Sequence, residues 1–236
     1  MNLTALIKHL RLSILDDTGG TGVVWEDIDE DSIENAQLRW SNEELTNFIN
    51  EAFKQAHRRA LLIKSVEPTF NLAIVNGTST YTLDSRIIRV KGTKLASTGK
   101  KLDELEYEDI MDITDWDTKT GTPTHYIIDY GTSRITLYPA PISNDTVSLL
   151  TYREEMAPLR WTAPTGEPDI DERFQLQALY YAASMAYNKD EANTFDPQRS
   201  QYYDALFTSE FGDRTTAYAE KRRRRTRQRG ISYGGL

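Results

Sequence analysis

The chain has 236 residues, 36 acidic and 28 basic side chains for a net charge of -8, 39% hydrophobic residues and no cysteine. That length holds one large or two small domains with a substantial core. The lack of cysteine excludes disulfides, thiolate catalysis and Cys-type zinc sites together, and no apolar run approaches the roughly 20 residues that span a bilayer.

The charge is unevenly placed. Residues 221–229, KRRRRTRQR, hold seven of the 28 bases and no acid, which leaves 21 bases against 36 acids over residues 1–220, a balance of -15. An acidic body with a short basic extremity favours an interaction tail over a nucleic-acid-binding domain, whose bases would spread along a folded face.

In chain order, Leu3, Leu6, Ile7, Leu10 and Ile14 fall at helical spacing, interrupted by Lys8, His9 and Arg11. They predict an amphipathic helix over 2–15 that ends before Asp16, and read as neither signal peptide nor membrane anchor. DDTGGTG follows as a turn, and residues 23–39 form an acidic segment with a short helix near Ser32 to Leu38. Trp40 to Lys64 is the longest patterned stretch. Ser41 and Glu44 form a capping box, with Trp40 and Leu45 placed as a hydrophobic staple. Leu45, Phe48, Ile49, Ala52, Phe53, Ala56, Ala60 and Ile63 make one apolar stripe, and Pro68 closes the helix near Lys64 to Glu67.

The period then changes to that of strands. Phe70 to Val75, Thr78 to Leu83 and Arg86 to Lys91 are separated by Asn76-Gly77 and Asp84-Ser85, as hairpins are written. A turn at Ser97 to Lys100 leads to Lys101 to Leu105. Tyr107, Ile110, Met111 and Trp116 then suggest a brief helix, and His125 to Tyr130, Arg134 to Tyr138 and Val147 to Arg153 complete about seven strands. Helical spacing returns after Pro164 to Pro168. Asp169 or Asp171 caps a helix bearing Phe174, Ala178, Leu179, Ala182, Ala183 and Ala186, and Asp196-Pro197 opens another with Tyr202, Tyr203, Leu206, Phe207 and Phe211, extending toward Tyr218.

The expected architecture is α+β: a helical bundle formed by the N- and C-terminal regions, with an inserted antiparallel β-sandwich or small β-barrel. The expected divisions are 1–67, 68–160, 161–220 and a basic tail at 221–236. Leu45, Phe48, Ile49, Phe53, Phe174, Leu179, Leu206 and Phe207 are the expected bundle core.

Little in the sequence carries catalysis or a cofactor. His9, His57 and His125 lack metal-ligand spacing, GGTG at 19–22 lacks the Lys-Ser/Thr of a phosphate loop, and no nucleophile elbow is present. Glu104, Glu106, Glu108 and Asp109 offer a carboxylate pair on paper, but read first as a solvated face. Tyr81, Tyr107, Tyr126, Tyr130, Tyr138 and Tyr152 read as strand packing before they read as a ligand platform. Arg222, Arg223, Arg224, Arg225, Arg227 and Arg229 have the sharpest chemistry. They fit a solvated tail, a dock on an acidic protein, or phosphate contact.

The ordered series WSNEELTNFINEAFKQAHRRA, GTSTYTLDSRIIRV, Trp116 followed by GTPTHYIID, RITLYPAPISNDTVSLLTYRE and a closing helix ending FGDRTTAYAEKRRR resembles the head-to-tail adaptor (connector) proteins of short-tailed bacteriophages, of the tail tubular protein A type. The resemblance spans nearly the whole chain. It implies a non-enzymatic virion protein at the head-tail junction, assembled in the host cytoplasm. It implies a homo-oligomeric ring, commonly of twelve copies, that prolongs the DNA channel. The partners it implies are the portal protein, met by the arginines above and Tyr233 of the C-terminal extension, and a distal tail protein of nozzle or tail tubular protein B type. Packaged DNA would pass the lumen without specific binding, and no cofactor or membrane is involved. The competing readings are a virion-associated peptidoglycan hydrolase and a DNA-binding assembly factor.

Overall fold

The computed structural model describes residues 1–17, 38–129, 131–190, 194–214 and 216. Its chain divides into two compact units. One comprises Met1–Ala60, Leu159–Gly166 and Glu172–Leu236; the other comprises Leu61–Pro158 and Glu167–Asp171. The fold class is α+β, with five α-helices and a curled mixed sheet among the described residues.

In the first unit, helix α1 (Leu3–His9) is capped by Asn2, whose side chain accepts from Ala5 N at 2.9 Å. Its first backbone amides, left without intrahelical acceptors, donate instead to Gly166 O and Pro164 O at 2.9 and 3.1 Å. The helix continues as a π-helical turn over Leu10–Leu15 and stops at Asp16, whose φ of 51° no longer fits a helix.

Helix α2 (Asn42–Ala60) opens on the capping box read from the sequence: Ser41 N donates to Glu44 Oε2 at 2.9 Å and Glu44 N donates to Ser41 Oγ at 3.1 Å. Trp40 and Leu45 are both buried. The helix ends before the sequence pattern does. Leu61 turns to φ 52°, and Ile63, expected on the apolar stripe, lies in strand β1 (Ile63–Ser65). Pairing with a later strand supplies β1 with the hydrogen bonds that a longer helix would have supplied, so tertiary pairing overrides local periodicity here.

Helices α4 (Glu172–Tyr187) and α5 (Pro197–Phe211) complete this unit, separated in sequence from α2 by a short helix α3 (Tyr107–Met111) of the other unit. Helix α4 packs against both α2 and α5. Its alanines at 178, 182, 183 and 186 are fully buried, which lets the neighbouring helices approach closely. Asp196 caps α5 as expected, accepting from Gln198 N and Arg199 N at 3.1 and 3.0 Å with Pro197 in the first turn. Helix α5 stops at Phe211, with Gly212 at φ 82°, where the sequence suggested continuation toward Tyr218. Positive φ is a conformation that glycine adopts without the steric cost other residues carry, and it ends the helix here.

Of the expected core residues, Leu45, Ile49, Phe53, Leu179 and Phe207 are buried, and Phe48, Phe174 and Leu206 are half-buried. Residues 18–37, which hold most of the acidic segment and its expected helix, lie outside the described residues.

The second unit contains strands β2 (Leu72–Ile74), β3 (Thr80–Thr82), β4 (Ile87–Leu95), β5 (Lys101–Glu104), β7 (His125–Asp129), β8 (Arg134–Tyr138) and β10 (Asp145–Arg153) in one sheet with β1. The order is β1-β10-β4-β5-β7-β8-β3, with β2 also paired to β10. A separate short parallel pair joins β6 (Thr120–Gly121) and β9 (Ala140–Pro141). This is one curled sheet in place of two facing layers, and it departs from the antiparallel expectation where β5 and β7 run parallel, Asp103 opposite His125. A parallel neighbour requires a crossover, and residues 105–124 with α3 provide it.

Neither expected hairpin at Asn76-Gly77 and Asp84-Ser85 forms. Both turns exist, with Gly77 at φ 77°, but β2 pairs with β10, β3 with β8, and β4 with β10 and β5. The turns at 96–100 and 131–133 do join paired strands. The core of this unit is formed by Ile74, Leu83, Val90, Leu95, Leu102, Tyr126, Ile128, Ile135, Leu137, Val147 and Leu149. A smaller cluster packs Ile110 of α3 on Ile127 and Tyr138, on the opposite side of the sheet from Tyr126 and Ile128.

Candidate interaction surfaces

The sequence placed the docking chemistry in Arg222, Arg223, Arg224, Arg225, Arg227, Arg229 and Tyr233. All seven lie outside the described residues. What the structure does describe is the packing of the helices that precede that segment in sequence. Helices α4 and α5 are joined by an aromatic ladder: Tyr180 stacks on Tyr203 at 6.2 Å, Tyr203 on Tyr187 at 5.8 Å, and Tyr187 meets the edge of Trp40 at 5.8 Å. Such offset and edge contacts add about 0.5–1.5 kcal/mol each beyond area burial.

The polar tips of the ladder also work. Tyr203 Oη donates to Ile14 O at 3.0 Å, Tyr187 Oη to Leu15 O at 3.2 Å, and Trp40 Nε1 to Ala186 O at 3.2 Å. The rings thereby satisfy carbonyls that helix ends leave open. Burial raises the Tyr203 hydroxyl pKa above its ordinary value, aided by the Tyr187 hydroxyl. Arg199 donates to Tyr187 Oη at 3.0 Å, and this hydrogen bond raises its own pKa. Arg59 lies 4.8 Å from the Phe207 centroid and donates to Thr208 Oγ1 at 3.0 Å, near the end of α5. An open groove lined by Ser184, Ser200, Asp204 and Thr208 runs between α4 and α5.

A second feature was not legible in the sequence. Arg11, which there only interrupts an apolar stripe, is 1% exposed. It is ion-paired with Asp17, and its Nη2 donates to Trp40 O at 2.7 Å and Asn42 Oδ1 at 2.9 Å. Asp17 Oδ1 in turn accepts from Arg39 N at 2.9 Å. Residues 17 and 39 are thus clasped together at the base of the acidic segment. Burial lowers the Arg11 pKa, and the Asp17 charge opposes that shift. The only hint in the sequence was the pair Asp16-Asp17 just after the helix.

In the β unit, the turns at 75–78, 96–100 and 141–145 are pinned to one another. Asn76 N donates to Asn144 Oδ1 at 2.9 Å, Gly77 N to Pro141 O at 2.7 Å, and Ser97 Oγ to Asp145. That last bond lowers the Asp145 pKa. The tyrosines split by role: Tyr126 and Tyr138 are buried, Tyr81 donates to Thr78 O at 2.5 Å, Tyr152 is half-buried, and Tyr107 is exposed. Tyr130 is outside the described residues.

The carboxylates whose pKa moves, Glu44, Asp84 and Asp145, all move down, led by hydrogen bonds from Lys189, Arg86 and Ser97 respectively. That is the direction of structural anchoring; a general acid at neutral pH needs the opposite. Glu108 and Asp109 sit exposed on α3. Among the described residues no group of three or more His, Cys, Asp or Glu is placed to hold a metal, and no helix is long and apolar enough to cross a membrane.

These features define a protein whose polar chemistry ties its own elements together, while its exposed surface carries charge and isolated aliphatic side chains suited to protein contacts. Across residues 1–231 the sequence matches the SU10 adaptor protein family. The chain belongs to that family, and so to the structural adaptor proteins of bacteriophage virions, which are non-enzymatic in general and act by contacting other virion proteins. Among curated proteins none matches it.

Proposed function

We propose that the chain is a head-to-tail adaptor that forms a ring, of about twelve copies as in the tail tubular protein A type it resembles, between portal and tail, and prolongs the DNA channel. In this reading helices α1, α2, α4 and α5 act together as a helical wall, the β unit of Leu61–Pro158 faces a distal tail protein of nozzle or tail tubular protein B type, and 221–236 dock on the portal. The observation that carries it is family membership over 1–231 in a chain whose charge is split between an acidic body and a basic extremity. An acidic wall repels the DNA backbone and keeps passing DNA from adhering. Arg222 to Arg225, Arg227 and Arg229 offer bidentate donors to carboxylates of a neighbouring protein, with Tyr233 beyond them. Rings arise when head-to-tail contacts between identical subunits close.

The test is deletion of residues 221–236 in an infecting phage. Heads that fill with DNA but fail to acquire this protein, while the truncated chain melts at the temperature of the intact one, are the expected result. Normal attachment without the tail refutes portal docking, and virions imaged with this protein away from the head-tail junction refute the adaptor placement.

A further inference from the structure

The curled sheet has two sides, and strand alternation separates them cleanly. Val147, Leu149 and Thr151 of β10 point to the core, while Ser148, Leu150 and Tyr152 point away from it. Residues directly opposite one another on paired strands share a side, so the register defines the outer side residue by residue. Lys64 of β1 lies opposite Tyr152, and Tyr152 opposite Arg89 of β4. Ser148 lies opposite Lys94 of β4, and Lys94 opposite Lys101 of β5. Lys91 is exposed at the bulge between Val90 and Gly92.

Five cations therefore occupy one half of the outer side. Lys64, Lys91, Lys94 and Lys101 are exposed, Arg89 is half-buried, and none forms an ion pair among the described residues. Like charges directly opposite each other on paired strands destabilise a sheet. The Lys94–Lys101 pair is thus a cost to the unit's own fold. Protection of a sheet edge does not account for Lys94, because β4 lies between β10 and β5 at that position, although β7 pairs with β5 only from Asp103 onward.

The segment that covers the other half of the same outer side has the opposite sign, with Arg134 of β8 and Lys119 beside Tyr138 as the bases near it. Ile127 points outward from β7 and is covered by Ile110 of α3. Residues 103–117, which contain α3, hold eight acids and no base. Glu108, Asp109, Asp112, Asp115 and Asp117 are exposed and unpaired among the described residues. Beside them Tyr107 and Met111 are 46% and 70% exposed, one turn apart on α3. On the cationic half, Leu150 and Tyr152 remain half-buried between the charges.

We propose that the cationic outer side of β1, β10, β4 and β5 is a docking surface for a second copy of this chain, and that its occupant is the acidic α3 segment. The charges complement, and each half contributes apolar contact to the middle of the joint: Tyr107 and Met111 from one copy, Leu150 and Tyr152 from the other. Because each copy carries both halves, the contact is made by identical subunits without a second protein. This inference rests on the ring reading and names the chemistry by which its subunits meet.

The test uses the full chain and two exposed charge-reversal variants, Lys94→Glu/Lys101→Glu and Asp109→Lys/Asp112→Lys. Self-association is followed by sedimentation velocity at low and high salt, with thermal melts as the folding control. The expected wild-type association weakens as salt rises. Each variant alone associates roughly tenfold more weakly, and an equimolar mixture of the two recovers to within about threefold of wild type, because the swapped charges complement in trans. A mixture no better than either variant overturns the inference. So does a wild-type chain that stays monomeric at about 100 µM in low salt; ring formation seen only in virions would then survive as a portal-templated event. A 20-base-pair duplex retained by the chain lacking residues 221–236, and released by Lys94→Glu/Lys101→Glu, would show that the cations serve phosphate and would overturn it as well.

Discussion

Replacing Arg11 by methionine tests the clasp at the base of the acidic segment most directly. The change keeps volume and apolar stem while removing the guanidinium, which is 1% exposed and bonded to Asp17, Trp40 O and Asn42 Oδ1. Asp17, also 1% exposed at its side chain, is left with the Arg39 amide at 2.9 Å as its recorded donor. Breaking a buried pair from one side strands a charge and costs about 3–5 kcal/mol, a large share of a total near 5–15 kcal/mol. Urea denaturation followed by far-ultraviolet circular dichroism measures it, and the midpoint should fall without a change in slope. The double variant Arg11→Met/Asp17→Leu removes both charges. It should be less destabilised than the sum of the singles by more than about 1 kcal/mol, as coupled partners are. Additive losses, or a single-variant loss below about 1 kcal/mol, would mean that Asp17 finds solvent or a proton and that the clasp holds nothing.

Other outcomes follow from the same geometry. Ser41→Ala removes the acceptor for Glu44 N and should cost about 1 kcal/mol by denaturation, as should Asp196→Ala at the start of α5. Glu44 has its pKa lowered first by the Lys189 hydrogen bond at 2.5 Å. A lowered carboxylate stabilises above its unfolded value near 4.3 and loses that contribution as pH falls through the folded value. Stability should therefore decline below about pH 4, and Lys189→Met should make the acid side of that profile shallower. Phe207→Ala takes the ring from under Arg59 and from Phe211, whose centroid lies 4.6 Å away, and should cost about 3–5 kcal/mol in a thermal or urea melt.

Helix starts are governed by a few neighbouring atoms, so they could be read from the chain itself. The Ser41–Glu44 box, the Asp196-Pro197 opening and the stripe through Leu45, Ile49 and Phe53 depend on contacts within one turn or one face. The α+β class and the charge split were legible for the same reason: periodicity and composition are local sums. Strand partnership is different. Asn76-Gly77 and Asp84-Ser85 do turn the chain, but a turn fixes only direction, and β2 and β3 chose partners distant in sequence, while β4 took both its neighbour β5 and the distant β10, because those positions buried their alternate residues in a common core. Ile63 left the helical stripe to pair with Arg153 for the same reason. In the sequence Arg11 only interrupts an apolar stripe and Asp17 only opens a turn, yet Trp40, Asn42 and Arg39 supply the bonds that bury them. Sequence settles what each segment can become by itself; which groups meet, and so which are buried, paired or left facing outward, is decided only when remote segments compete for the same hydrogen bonds and the same apolar surface.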